Sequence, residues 1–159
     1  MEPDVRWLII DKASSFDAFK KNFVPKTQIA DSVDIGIKTH YEITKKLIIH
    51  SYFEYEFITV ALRNGLLLLE FTLNHYYEKI NGVKCKMMLA ASSKWFKNQN
   101  LIEGEEEMMV VDLIRVIRNY HMHPQTHTVL PPSAIDVIEL IAVWINKLDE
   151  RVSKLLSLD

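Results

Sequence analysis

The chain has 159 residues, 48% hydrophobic and 25% charged, the profile of one folded globular domain and not of a disordered segment. Four glycines and five prolines are too few to punctuate a sandwich or barrel every ~8–12 residues, and a formal charge of −2 provides no chain-wide basic field for gripping nucleic acid. A single cysteine, Cys85, excludes an internal disulfide and a cysteine-paired zinc finger, and fits a reducing compartment.

The start, Met-Glu-Pro-Asp, lacks the cationic region of a signal peptide, and the apolar stretch 7–10 is too short for a signal core. The longest apolar run, 65–69, stops at Glu70, far short of the ~20 residues a membrane span needs. The expectation is a cytoplasmic protein without a membrane segment.

Residues 1–32 read as an N-terminal extension in which Ser14, Ser15, Phe16 and Asp17 start one short helix, ended before Pro25. From residue 33 to 159 the pattern is helical. Ile37, Tyr41, Thr44 and Ile48 form the apolar stripe of a first helix. Residues 52–80 hold the longest run, with Phe53, Phe57, Val60, Asn64, Leu67, Phe71 and His75 on one face and Tyr55, Leu62, Leu66, Leu69 and Leu73 widening it. A helix apolar on most sides belongs at the centre of a bundle. Gly65 inside it marks a close helix crossing, and Asn81-Gly82 stops it. A shorter helix over 87–97 turns Met88, Ala91 and Trp95 inward, and 98–100 connects. The acidic run 105–107 reads as a solvated first turn, followed by Met109, Leu113, Val116 and Tyr120 facing the core. That helix ends near His123, because Pro124 follows. Ser133 and Asp136 resemble a capping box for a last helix with the seam Ile138, Ile141, Ile145, Leu148, Val152 and Leu155. The expected fold is all-α, an antiparallel bundle of four or five helices.

Most polar chemistry concentrates in 115–124. Arg115 and Arg118 share a helix face, as do Arg118 and His121, while Asn119 and His123 share another. Arg118 and His123 lie ~140° apart on an ideal helix, but His123 precedes a proline and is biased out of the helical conformation, so its ring can swing back. A guanidinium that grips phosphate in a fork, beside an imidazole that passes a proton near neutral pH, suits phosphodiester chemistry.

The run Arg118-Asn119-Tyr120-His121-Met122-His123 resembles the Arg-Asn-x-x-x-His motif of the HEPN superfamily. The likeness extends over about residues 35–157: a long apolar helix, a shorter one, a loop, then an acidic-headed helix ending in the motif and a proline. It implies a bundle that dimerises with two copies of the motif facing each other. It also implies a metal-independent, cofactor-free ribonuclease that assists attack of a ribose 2′-hydroxyl on the adjacent phosphate. In that family Arg118 would hold the phosphate, His123 would act as general acid or base, and Asn119 would orient the imidazole. The family includes toxins and antiviral effectors, some beside a nucleotidyltransferase-like antitoxin. Other members have lost cleavage and bind a nucleotide, an anion or a partner protein.

Plainer readings stand beside these. Arg118 could pair with an acidic neighbour, and His123 could cap the helix dipole. His121 shares the face of Arg118 better than His123 does. Glu56, Arg63 and Glu70, seven apart, form either a solvated stripe or a set of supports that orient the motif arginines. His121, His123 and His127 could offer imidazoles to a metal, although no carboxylate is near in sequence. Trp95 and Trp144 read as core residues and not as a base-stacking platform.

Overall fold

A computed structural model describes residues 2–121 and 131–157. Among these, seven α-helices and one 3₁₀ turn occur and no strand does, so the chain is all-helical. The helices are α1 (Val5–Leu8), α2 (Phe16–Phe23), α3 (Ile35–His50), α4 (Phe57–Asn81), α5 (Leu89–Asn98), α6 (Gly104–His121) and α7 (Pro131–Leu156).

The central element is α4, which packs against α3, α5, α6 and α7. It is long and apolar enough to cross a bilayer by length and composition, yet half of its apolar window is buried within the fold. Gly65 lies where α4 meets α7. A Cβ built there would stand 2.9 Å from Cγ1 of Ile138 and 3.7 Å from Cγ2 of Thr44, so the crossing needs a residue without a side chain. Gly65→Ala is expected to destabilise the fold by about 1–2 kcal/mol in chemical denaturation. Overpacking against a β-branched neighbour exceeds the ~1 kcal/mol of helix propensity regained. At the far end Gly82 adopts φ +69° and its N–H donates to the Glu78 carbonyl, the left-handed stop that Asn81-Gly82 announces.

The stripes expected for α3 and α7 are the buried ones, Ile37, Tyr41, Thr44 and Ile48 on α3 and Ile138, Ile141, Ile145, Leu148 and Val152 on α7, with Leu155 at the end of the α7 seam only half-buried. Three other faces require correction. On α4 the core takes Leu62, Leu66, Leu69 and Leu73, while Phe57, Val60, Leu67 and Phe71 are exposed. On α6 the core takes Val111 and Ile114, whereas Met109, Leu113, Val116 and Tyr120 lie more than half exposed. On α5, Leu89, Ser92, Ser93 and Phe96 are buried and Met88 is exposed. Ser93 can go inward because its hydroxyl returns a 2.7 Å hydrogen bond to the Leu89 carbonyl, whereas the buried Ser92 hydroxyl has no hydrogen-bond partner. Ser133 is the third residue of α7 and not the cap ahead of it; Pro131, with its φ preset, occupies the first turn.

The amino-terminal helices fill one end of the core. Ser15 caps α2 by accepting from the Ala18 N–H, and Val24 leaves the helix in an extended conformation just before Pro25. Trp7 is fully buried against Phe19, Phe23 and Tyr55, and its indole N–H donates to the Ser51 carbonyl. The following segment is strapped along α7. Glu139 accepts from the Lys26 and Thr27 amides, and Asn146 accepts from the Ala30 amide and donates to the Gln28 carbonyl. Asp149, almost fully buried, accepts from the Ser32 and Tyr76 hydroxyls, and burial together with that carboxylate pushes the Tyr76 phenol upward.

Within the acidic run only Glu105 and Glu106 are solvated. Glu107 takes a bidentate grip from Arg151 at 2.5 and 3.0 Å, tying α6 to α7, and it also accepts from the Glu103 amide. The Arg151 hydrogen bonds hold its carboxyl down to about 2, from an ordinary 4.5. A depressed carboxylate stabilises the fold above its unfolded pKa and loses that contribution as pH falls through the folded one. Stability is therefore expected to drop between about pH 4.5 and pH 2. In urea titrations Glu107→Gln should cost about 1–2 kcal/mol at neutral pH and flatten that acid limb.

Candidate functional site

The carboxyl-terminal part of α6 carries Arg118 to His121, the first four residues of the motif. Arg118 lies beside α4, and its Nη2 donates to Oε2 of Glu70 at 2.9 Å, with both side chains about 30% exposed. Its Nη1 reaches Oδ1 of Asn119 at 3.4 Å, so the carboxamide steadies the guanidinium on one side and the carboxylate on the other. Arg115, one turn earlier, is held by Asp112 at 3.1 Å. These groups open onto a cleft of about 190 Å³ lined by Glu70, Arg115, Arg118, Asn119 and the start of α5, Met88 to Ala90. The N-cap residue of α5, Met88, makes no side-chain hydrogen bond to the first amides of that helix.

Two arginines fixed by carboxylates on one wall and an uncapped helix start on the other make a recess suited to a phosphate-sized anion. The segment that supplies this second wall is basic in sequence. Between Gly82 and Ile102 stand four lysines (84, 86, 94 and 97), all exposed, and no carboxylate. This local field is invisible in a net charge of −2, and the acid-free stretch is the sequence signal that marks it.

The structure places the remaining candidates as follows. His121 is half-buried, its ring edge-on to Tyr120 with centroids 5.0 Å apart. His123 and His127 lie outside the described residues. Of the heptad-spaced line, Glu70 joins Arg118. Glu56 does not: it pairs with Arg6 at the other end of α4, which holds its carboxyl down to about 2. Arg63 is half-buried, and its Nε has no hydrogen-bond partner.

Among the described residues one group of carboxylates, Asp4, Glu54 and Glu56, is close enough together to hold a cation. The guanidinium of Arg6 already bridges Asp4 and Glu56, and its cation–π contact with Tyr55 completes that cluster. A larger depression of about 580 Å³ lies between residues 30–32 and the end of α7. Its buried carboxylate, Asp149, is already occupied by the two hydroxyls, so the arginine-lined cleft carries the richer chemistry.

Set against known proteins, the chain matches no protein-family model, no curated protein and no solved structure.

Proposed function

We propose that the protein is a metal-independent endoribonuclease of HEPN type. The observation that carries this reading is Arg118, the first residue of the Arg-Asn-x-x-x-His run, held by Glu70 and Asn119 at the rim of an anion-sized cleft. Arg118 binds the scissile phosphate and stabilises the charge that builds on it. His123, five residues on, transfers the proton of the attacking 2′-hydroxyl or of the leaving oxygen. Asn119 orients these partners, and Arg115, His121 and the lysine-bearing stretch attract the strand. Two copies bring their motifs together, within a bundle of the HEPN kind. A role as a cytoplasmic toxin or defence effector, paired with a nucleotidyltransferase-like antitoxin, accords with such chemistry.

A second reading draws on the same ion pair. Arg118 partly neutralised by Glu70 also suits a non-catalytic module that binds a nucleotide, an anion or a partner protein.

The purified chain, incubated with a single-stranded RNA probe and excess chelator, is expected to release fragments with cyclic phosphate ends. His123→Ala is expected to lower that rate about 100-fold or more, as loss of a general acid or base does. Binding of the RNA without any cleavage would transfer the conclusion to the second reading.

A further inference from the structure

We infer that Lys94 and Lys97 on α5, with Lys84 and Lys86 on the link before it, form a one-sided track for the phosphates that flank the cleft. The ligand is then a single RNA strand that runs about two nucleotides beyond the cleft on that side. The inference deepens the reading in which the cleft receives a phosphate, and rests on it.

Helix geometry lays out the track. Ala90 lines the cleft, and Lys94 and Lys97 follow it at i+4 and i+7, an exposed stripe along α5. The opposite face of that helix, Leu89, Ser92, Ser93 and Phe96, is buried, which fixes the two lysines outward. At about 1.5 Å of rise per residue they stand about 6 and 10 Å further along the axis than Ala90. Steps of that size, adjusted by flexible four-carbon stems, suit successive phosphates of an extended strand.

The second pair of lysines lies on the same side. Glu70 shares the cleft with Met88 to Ala90, and Tyr77, two turns on along α4, meets Trp95 with ring centroids 4.8 Å apart. Hence α5 runs beside α4 toward its carboxyl end, and the link from Gly82 returns along that side to the cleft. On the link Lys84, Lys86 and Met88 are exposed in alternation with half-buried Cys85 and Met87, and Met88 lines the cleft.

The charge is segregated and not diluted. Once these four are set apart from the 19 basic side chains, the rest of the chain has 15 against 21 acidic ones, and no carboxylate stands between Gly82 and Ile102. Past α5 the sign reverses at the exposed Glu105 and Glu106, so the track ends after about two phosphates. Because the line is continuous with the cleft, its occupant is the strand whose phosphate lies there. An acidic peptide shares the charge, and the test separates the two.

The full chain is titrated, by fluorescence anisotropy, with labelled 2′-O-methyl oligouridylates about 3–12 nucleotides long. These lack the attacking hydroxyl, so binding is read apart from cleavage. Affinity is expected to rise steeply up to about five nucleotides and slowly beyond. Lys94→Ala with Lys97→Ala should weaken the longer strands about tenfold near 0.1 M salt while hardly changing the shortest. The same double variant should reduce the salt slope by about 1.4, two phosphates at ~0.7 each. Arg118→Ala should weaken every length alike. Lys21→Ala with Lys46→Ala, the same loss of charge from α2 and α3, is expected to alter neither affinity nor slope. An unchanged slope in the α5 variant, an equal loss in the α2 and α3 variant, polyglutamate bound as tightly as RNA of equal charge, or no measurable binding of any strand would each overturn the track. Lysine-dependent binding of unmodified RNA that stays uncut would instead overturn the cleavage reading and leave the track standing.

Discussion

On the ribonuclease reading proposed above, Arg118→Ala is expected to slow RNA cleavage by about 10²–10³-fold, equivalent to about 3–4 kcal/mol of lost transition-state stabilisation. The effect follows from its setting. The guanidinium is held at the cleft rim by Glu70 at 2.9 Å and Asn119 at 3.4 Å, with its Nε buried and unpaired, so the Nη groups need little reorganisation when charge develops. Arg118→Lys keeps the charge but cannot fork, and should recover only a minor part of the rate. Single-turnover kinetics with saturating enzyme distinguishes this from weakened binding: a catalytic arginine lowers the plateau rate, whereas a mere docking residue shifts only the enzyme concentration that reaches the plateau. Equal plateau rates for wild type and Arg118→Ala would remove the ribonuclease reading.

Trp7→Ala is the substitution with the largest expected cost to the fold, about 3–5 kcal/mol in urea or thermal unfolding. Trp7 has no solvent exposure, stands edge-on to Phe19 at 4.7 Å and within 5.2 Å of Phe23 and Tyr55, and its N–H satisfies the carbonyl of Ser51. Deletion leaves a cavity bounded by aromatic rings that cannot collapse far, and a carbonyl without its donor. Trp7→Phe separates the two contributions, since it retains most of the ring volume and loses only the hydrogen bond, for an expected ~1–2 kcal/mol. Against the 5–15 kcal/mol of an ordinary domain, the alanine variant removes a large share of the total. A loss below about 1 kcal/mol would mean that residues 5–23 do not unfold cooperatively with α3 and α4.

Part of the candidate site was legible in the chain. Arg115, Arg118 and Asn119 fall within five residues on one helix, so helical geometry alone brings them to one end of α6. The wall opposite was not legible. Met88 to Ala90 enter the cleft because α5 folds back against α6, and Glu70 enters because α4 crosses it, 48 residues away in sequence. Glu56 and Arg63 share the spacing of Glu70, yet Glu56 is drawn off by Arg6, a residue fifty positions earlier whose approach depends on how α1 docks.

The chain by itself determined the helical class, the start of α2, the stop of α4 at Gly82 and the inner faces of α3 and α7. Those signals are local: Ser15 meets the Ala18 amide within its own turn, Gly82 alone tolerates its positive φ cheaply, and a helix with one apolar stripe has one way to turn. Only the tertiary structure decided the orientation of α4 and α6, because each offers two apolar stripes with the same period. On α4 Leu62, Leu66, Leu69 and Leu73 compete with Phe57, Val60, Leu67 and Phe71, and on α6 Val111 and Ile114 compete with Met109, Leu113, Val116 and Tyr120. Periodicity states that a helix has a buried side but carries no azimuth; the close fit of Gly65 under Ile138, the Glu70–Arg118 pair and the Glu107–Arg151 clamp select one side by packing and charge.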